Sequence, residues 1–221
     1  MAEKPLPALH VNGLAEYWSD LGNSLVAVPL LALCAAVSAW AARRAGRDRW
    51  WAPLAAAGAA AVLLTATVVP AKDAIARPGP SGAATGSTGL GYFPSGHAST
   101  ATVCLVTGAW LLSSAVAGRW ARRVLALLTS VLCLGVGAAL IWRDYHWLLD
   151  VIGAWTLAAM VVWCVARWAP RPGPEAGAGP EAGPGPGAGA GPGVGAGPGA
   201  GAGPGAGQAG PDLSPDQTTP S

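Results

Sequence analysis

His146 and Asp150 stand four residues apart, and two of the chain's three histidines, His97 and His146, lie at the edges of apolar runs. On a helix, residues four apart share a face, so the carboxylate can accept a proton from one imidazole nitrogen. That fixes the tautomer and makes the other nitrogen a better nucleophile or base. The run Pro94-Ser95-Gly96-His97 stands just before an apolar helix. Ser95 suits the N-cap, the free amides of the first turn favour an anion, and Gly96 lets backbone approach a ligand closely. Lys72, Arg77 and Arg143 bring positive charge for phosphate oxygens. His97 can protonate a leaving alcohol. Cations, helix-start amides and two histidines suit phosphoryl transfer without a metal. Two histidines and Asp150 are chemically sufficient for zinc, but the surrounding cations disfavour a divalent ion, so neither a metal nor another cofactor is expected. Lys72 or Arg77 alone reads as a cation snorkelling to a membrane interface. The histidines and Asp150 have no such ordinary explanation.

The elements that position these residues are apolar and long. Charged residues make up 11% of the 221-residue chain and hydrophobic residues 52%, against roughly 25% charged in soluble domains. Five runs approach or reach the roughly 20 apolar residues a bilayer span needs: residues 21–42, 50–71, 98–118, 124–142 and 147–166. The expected fold is all-α, a polytopic transmembrane helical bundle of about five spans over residues 21–169. Arg43, Arg44, Arg47, Arg49, Arg119, Arg122, Arg123, Arg167 and Arg171 fall on one side if the spans alternate. The positive-inside rule makes that side cytoplasmic. The expected location is the cell membrane, multi-pass. Lys72, Arg77, His97, Arg143, His146 and Asp150 then share the extracytoplasmic face. The net charge of +2 suggests no nucleic-acid partner.

Residues 1–20 read as an extracytoplasmic segment. Pro5 and Pro7 argue against helix at its start, while residues 14–20 suit a short interfacial helix carrying Tyr17 and Trp18. Residues 170–221 repeat Gly-, Ala- and Pro-rich units without a strict triplet and have no aromatic residue, so a disordered cytoplasmic tail of unknown partner is expected. Cys34, Cys104, Cys133 and Cys164 read as small buried hydrophobes.

The stretch Tyr92-Phe93-Pro94-Ser95-Gly96-His97-Ala98-Ser99 resembles the second motif of the type 2 phosphatidic acid phosphatase superfamily. His146-Trp147-Leu148-Leu149-Asp150-Val151 resembles the end of its third motif, and residues 72–80 its first. The resemblance covers roughly residues 50–168 in the family's order. It implies a metal-independent membrane phosphatase acting on lipid phosphates or isoprenyl diphosphates. It implies His146 as the nucleophile that forms a phosphohistidine, Asp150 as the group that orients it, and His97 as the acid for the leaving group. Ser95, the Gly96 amide and Lys72 would hold phosphate oxygens.

Two departures qualify the match. The family's first motif carries arginine seven positions after the lysine, where this chain has Gly79 and Arg77 comes two residues early. Its third motif carries Ser-Arg with the arginine six before the histidine, where this chain has Ala139 and Leu140 and Arg143 comes three before. Arg77 and Arg143 are expected to compensate, and Gly79→Arg is expected to be neutral or activating. Two other readings stand beside the hydrolase: a non-catalytic lipid-phosphate-binding relative, motivated by the displaced arginines, and a lipid phosphotransferase using the same residues.

Overall fold

The computed structural model describes residues 6–80, 82, 89–116 and 118–169. The tail at 170–221 and most of the loop at 81–88 lie outside the described residues. Among the described residues six helices follow in chain order: α1 (Leu6–Asp20), α2 (Ser24–Arg44), α3 (Ala52–Ile75), α4 (Gly96–Ser113), α5 (Arg119–Trp142) and α6 (Leu148–Trp168). Their limits follow local signals. The Asn23 side chain accepts the Leu25 N–H at 3.0 Å and caps α2, while Ser95 caps α4. Pro53 opens α3 where its missing N–H costs nothing.

Helices α2, α3, α5 and α6 are long and apolar enough to cross a membrane by length and composition. The sequence predicts a fifth span at 98–118, and the corresponding helix α4 is the exception. It is 18 residues long and packs against α2, α3, α5 and α6. Its Ser99 and Thr107 are fully buried. A helix enclosed by helices need not be as apolar as one that faces lipid, and α4 carries its hydroxyls at fully buried positions. Leu33, Val62, Leu127, Leu134 and Trp163 of those outer helices are exposed, as a bilayer-facing surface requires.

Two apolar clusters fill the bundle. Leu31, Leu64, Val103, Leu111, Val161 and Val165 join α2, α3, α4 and α6. Val136, Leu140, Val151 and Ala154 join α5 and α6 beneath Ala98 and Leu105 of α4. At one end of the bundle, guanidinium groups lie over indoles: Arg43 over Trp50 at 5.2 Å, Arg44 over Trp40 at 4.6 Å and Arg167 over Trp168 at 5.9 Å. All four cysteines are free.

The N-terminal segment differs from its sequence reading. Helix α1 begins at Leu6, with Pro7 in its first turn, where proline is tolerated. It is also docked rather than free. The Trp18 ring occupies the space where a Cβ on Gly135 of α5 would stand, 2.3 Å from the ring. Glu16 pairs with Arg143 at 2.8 Å. Gly135→Leu is therefore expected to expel Trp18 and undock α1 while the α2–α6 bundle stays folded. Limited proteolysis in detergent should show cleavage before residue 21 with the remaining body intact.

Candidate active site

Asp150 is the third residue of α6 and is 0% exposed. Its Oδ1 accepts Arg77 Nη1 at 2.8 Å. Its Oδ2 accepts the Trp147 N–H at 3.0 Å and lies 3.4 Å from His146 Nδ1. Its backbone carbonyl accepts the Ser95 N–H at 3.0 Å. The expected His146–Asp150 pair forms, but not across a helical face. Trp147 is the N-cap of α6, so His146 precedes the helix and the Asp150 carboxylate reaches back to it.

The turn that delivers His146 closes α5. Asp144 adopts the left-handed conformation (φ 55°). Its N–H binds the Ile141 carbonyl and the Tyr145 N–H binds the Leu140 carbonyl, each at 3.0 Å. That pair of bonds is a Schellman stop, which usually employs glycine where Asp144 stands. Arg143 and His146 are thus separated by a chain reversal, not by one helical turn. His146 is 9% exposed, and the Tyr92 ring meets it edge-on at 5.6 Å. With Nδ1 directed at Asp150, Nε2 is the free nitrogen. Burial pushes the imidazole below the usual histidine range; the Asp150 hydrogen bond opposes that shift and the Lys72 charge adds to it.

Lys72 lies on the last turn of α3, where its Nζ donates to the Gly91 carbonyl at 2.9 Å. The chain returning from the loop crosses this helix end, and the Tyr92 N–H donates to the Arg77 carbonyl at 2.8 Å. Ser95 is fully buried, and its Oγ accepts the Ala98 N–H at 3.3 Å. Gly96 sits beside Lys72, since a Cβ there would lie 3.5 Å from Lys72 Cε.

A cavity of about 540 Å³ opens between these elements. Lys72, Gly96, His97 and His146 line it, as do Tyr92, Asp144 and Tyr145. Gly22, Asn23 and Ser24 of the α1–α2 turn complete its wall. Of the eight residues singled out in the sequence, four therefore line one cavity and four stand around it. Asp150 lies behind His146, with Arg77 on its far oxygen. Ser95 is turned into the α4 cap. Arg143 Nη2 meets Glu16 at 2.8 Å and the Tyr145 hydroxyl at 3.0 Å. Sequence reasoning missed the turn at 22–24. The capping preference of Asn23 marks a helix start there, but no local signal marks a cavity wall. Among the described residues, no group of three or more His, Cys, Asp or Glu side chains is disposed to hold a metal ion.

Gly79 is not an open position for the family's arginine. A Cβ there would lie 2.6 Å from the Tyr92 ring, which itself packs on His146. Gly79→Arg is thus expected to displace Tyr92 and lower phosphate release several-fold, the reverse of the expectation from sequence. Steady-state assays of purified variant and parent protein in one detergent check this.

The PAP2 superfamily model matches residues 50–174. No curated protein matches the chain. The fold is similar to the crystal structure of the first transmembrane PAP2 type phosphatidylglycerolphosphate phosphatase from Bacillus subtilis, with a TM-score of 0.60 at 20% identity. That match covers 74% of this chain and 77% of the other, and at such identity it speaks for the fold. The family match takes in more than half the chain, including every residue from Lys72 to Asp150 described above, and on that ground the chain belongs to the PAP2 superfamily.

Proposed function

We propose that this membrane protein is a phosphatase that hydrolyses a lipid phosphate or isoprenyl diphosphate through a phosphohistidine, on the extracytoplasmic face of the cell membrane. The observation that supports this most directly is the His146–Asp150 pair at the wall of a cavity that Lys72 and His97 also line. His146 Nε2 attacks phosphorus while the bond to the ester oxygen breaks. His97 gives its proton to the departing oxygen, so that a monoester releases its alcohol and an isoprenyl diphosphate, cleaved at the bridging oxygen, releases the isoprenyl phosphate. Water then attacks the phosphohistidine, with His97 now accepting its proton, and inorganic phosphate departs. Asp150 holds the tautomer and stabilises the positive charge that develops on the imidazole. Lys72 and the amides at the start of α4 hold the phosphoryl oxygens.

The two displaced arginines take different parts in this reading. Arg77 acts through Asp150 as a positioning residue, 2.8 Å from its carboxylate. Arg143 is held by Glu16, so Lys72 is the main cation at the cavity. The same engagement of both guanidinium groups favours the second reading, a lipid-phosphate binder without turnover. The arginine-rich loops support the proposed orientation, with the tail inside and the cavity outside.

Phosphate release in detergent with EDTA present, from phosphatidic acid, phosphatidylglycerol phosphate and isoprenyl diphosphates, separates these readings. His146→Ala is expected to lower turnover by at least about 10³-fold. Full activity in that variant would remove the nucleophile assignment, and binding without release by the parent protein would favour the binder. Arg77→Gln leaves a buried carboxylate without its partner and is expected to cost about 10²-fold or more in turnover, with lowered stability.

The pH dependence follows from the burial of His146. Its pKa is lowered, so the neutral, nucleophilic form persists as the pH falls below the ordinary histidine value near 6.5. With p-nitrophenyl phosphate, whose leaving group needs no proton, turnover should decline only below that value. A decline centred above it would contradict the assignment.

A further inference from the structure

We infer that the α1–α2 turn, residues 20–23, is a positioning element for His97: Gly22 fixes where its backbone sits. The inference rests on the reading of His97 as the acid for the leaving group. The turn lies outside residues 50–174, the stretch that the family model matches, so none of the three motifs includes it.

The contact is close. Gly22 is buried, and a Cβ there would lie 2.6 Å from the His97 carbonyl oxygen and 2.8 Å from the His97 Cβ. Its backbone is not in the left-handed region, so glycine is required for room alone. The obstacle is backbone at the first turn of α4, which cannot rotate away as a side-chain tip would. Any larger residue at position 22 must therefore move His97 or the turn.

The turn has little freedom to give. Its own bonds close it, Gly22 N–H to the Ser19 carbonyl and Asn23 N–H to the Asp20 carbonyl, each at 2.9 Å. Leu21 packs against the cluster formed by α4, α5 and α6. Upstream, α1 is seated on α5 by Trp18 and by the Glu16–Arg143 pair.

Charge supplies the second argument. Asp20 of α1 and Lys72 of α3 act on the His97 ring, and His146 interacts with it across the cavity. Burial disfavours the imidazolium, Asp20 favours it and Lys72 opposes it. An acid that must donate a proton at neutral pH gains from an anion placed at its side.

The test compares two esters in the same purified protein. Short-chain phosphatidic acid has an alkyl leaving group that needs a proton, whereas the leaving group of p-nitrophenyl phosphate departs without one. Gly22→Ala is expected to lose about tenfold more kcat/KM, which reports leaving-group departure and not the later hydrolysis, on the alkyl ester than on the aryl ester. Asp20→Asn should lose about threefold more on the alkyl ester, with Asp20→Glu restoring the parent ratio. His97→Ala gives the limiting ratio. Equal losses on both esters in Gly22→Ala would overturn the inference and leave the phosphatase reading standing. Parent protein inactive on both esters would overturn the phosphatase reading and this inference with it. Where Gly22→Ala fails to elute as a single folded species, Asn23→Ala, which removes the cap on the Leu25 N–H and loosens the turn, decides by the same ratio.

Discussion

A carboxylate sealed from solvent must find partners for both oxygens, and Asp150 finds them in every segment that the candidate site needs. Arg77 comes from the end of α3, His146 and Trp147 from the turn before α6, and Ser95 from the start of α4 through the Asp150 carbonyl. Removing one partner of a buried ion pair typically costs about 3–5 kcal/mol, because the other charge stays buried and uncompensated. The same constraint that stabilises the helix ends therefore sets the geometry of the site. Arg77 and Ser95 can both meet Asp150 only if α3 ends and α4 and α6 begin at the same height.

The bundle supplies that common height through α4. It touches four other helices and begins at Ser95, whose hydroxyl caps it and whose N–H binds α6. Polar atoms here serve structure and chemistry together. Ser95 is committed to the cap and Lys72 holds the Gly91 carbonyl, yet Lys72 still lines the cavity. An arriving phosphate would compete with that carbonyl for the ammonium, exchanging a neutral acceptor for a charged one.

Much of this was legible in the sequence because its signals are local. Apolar runs of span length, the Ser95 cap and the four-residue spacing of His146 and Asp150 need no knowledge of distant contacts. What was not legible depends on pairs far apart in the chain. The fate of Arg143 is decided by Glu16, whose neighbouring contact with Tyr145 joins residues 129 positions apart. The chain reversal between Arg143 and His146 carries aspartate where glycine would have announced it. Gly79 reads as a missing arginine, and only the packed Tyr92 ring shows why a side chain does not fit there. The docking of α1 was hidden for the same reason, since Trp18 looks like any interfacial aromatic until Gly135 is seen beneath it.

The arginine–tryptophan pairs at the far end of the bundle bear on the site without touching it. Guanidinium on indole suits the headgroup layer, where a charged edge meets water and an aromatic face meets lipid. Arg44 closes α2 and Arg167 lies in the last turn of α6. Each of these helices has 21 residues, a length of about 32 Å at 1.5 Å per residue. That nearly equals the roughly 30 Å of hydrocarbon in a bilayer. Helices pinned at one interface and matched in length to the membrane have little room to bob. The depth at which His146 sits is in this way gauged from the opposite leaflet, as a ruler held at its zero mark fixes every other division.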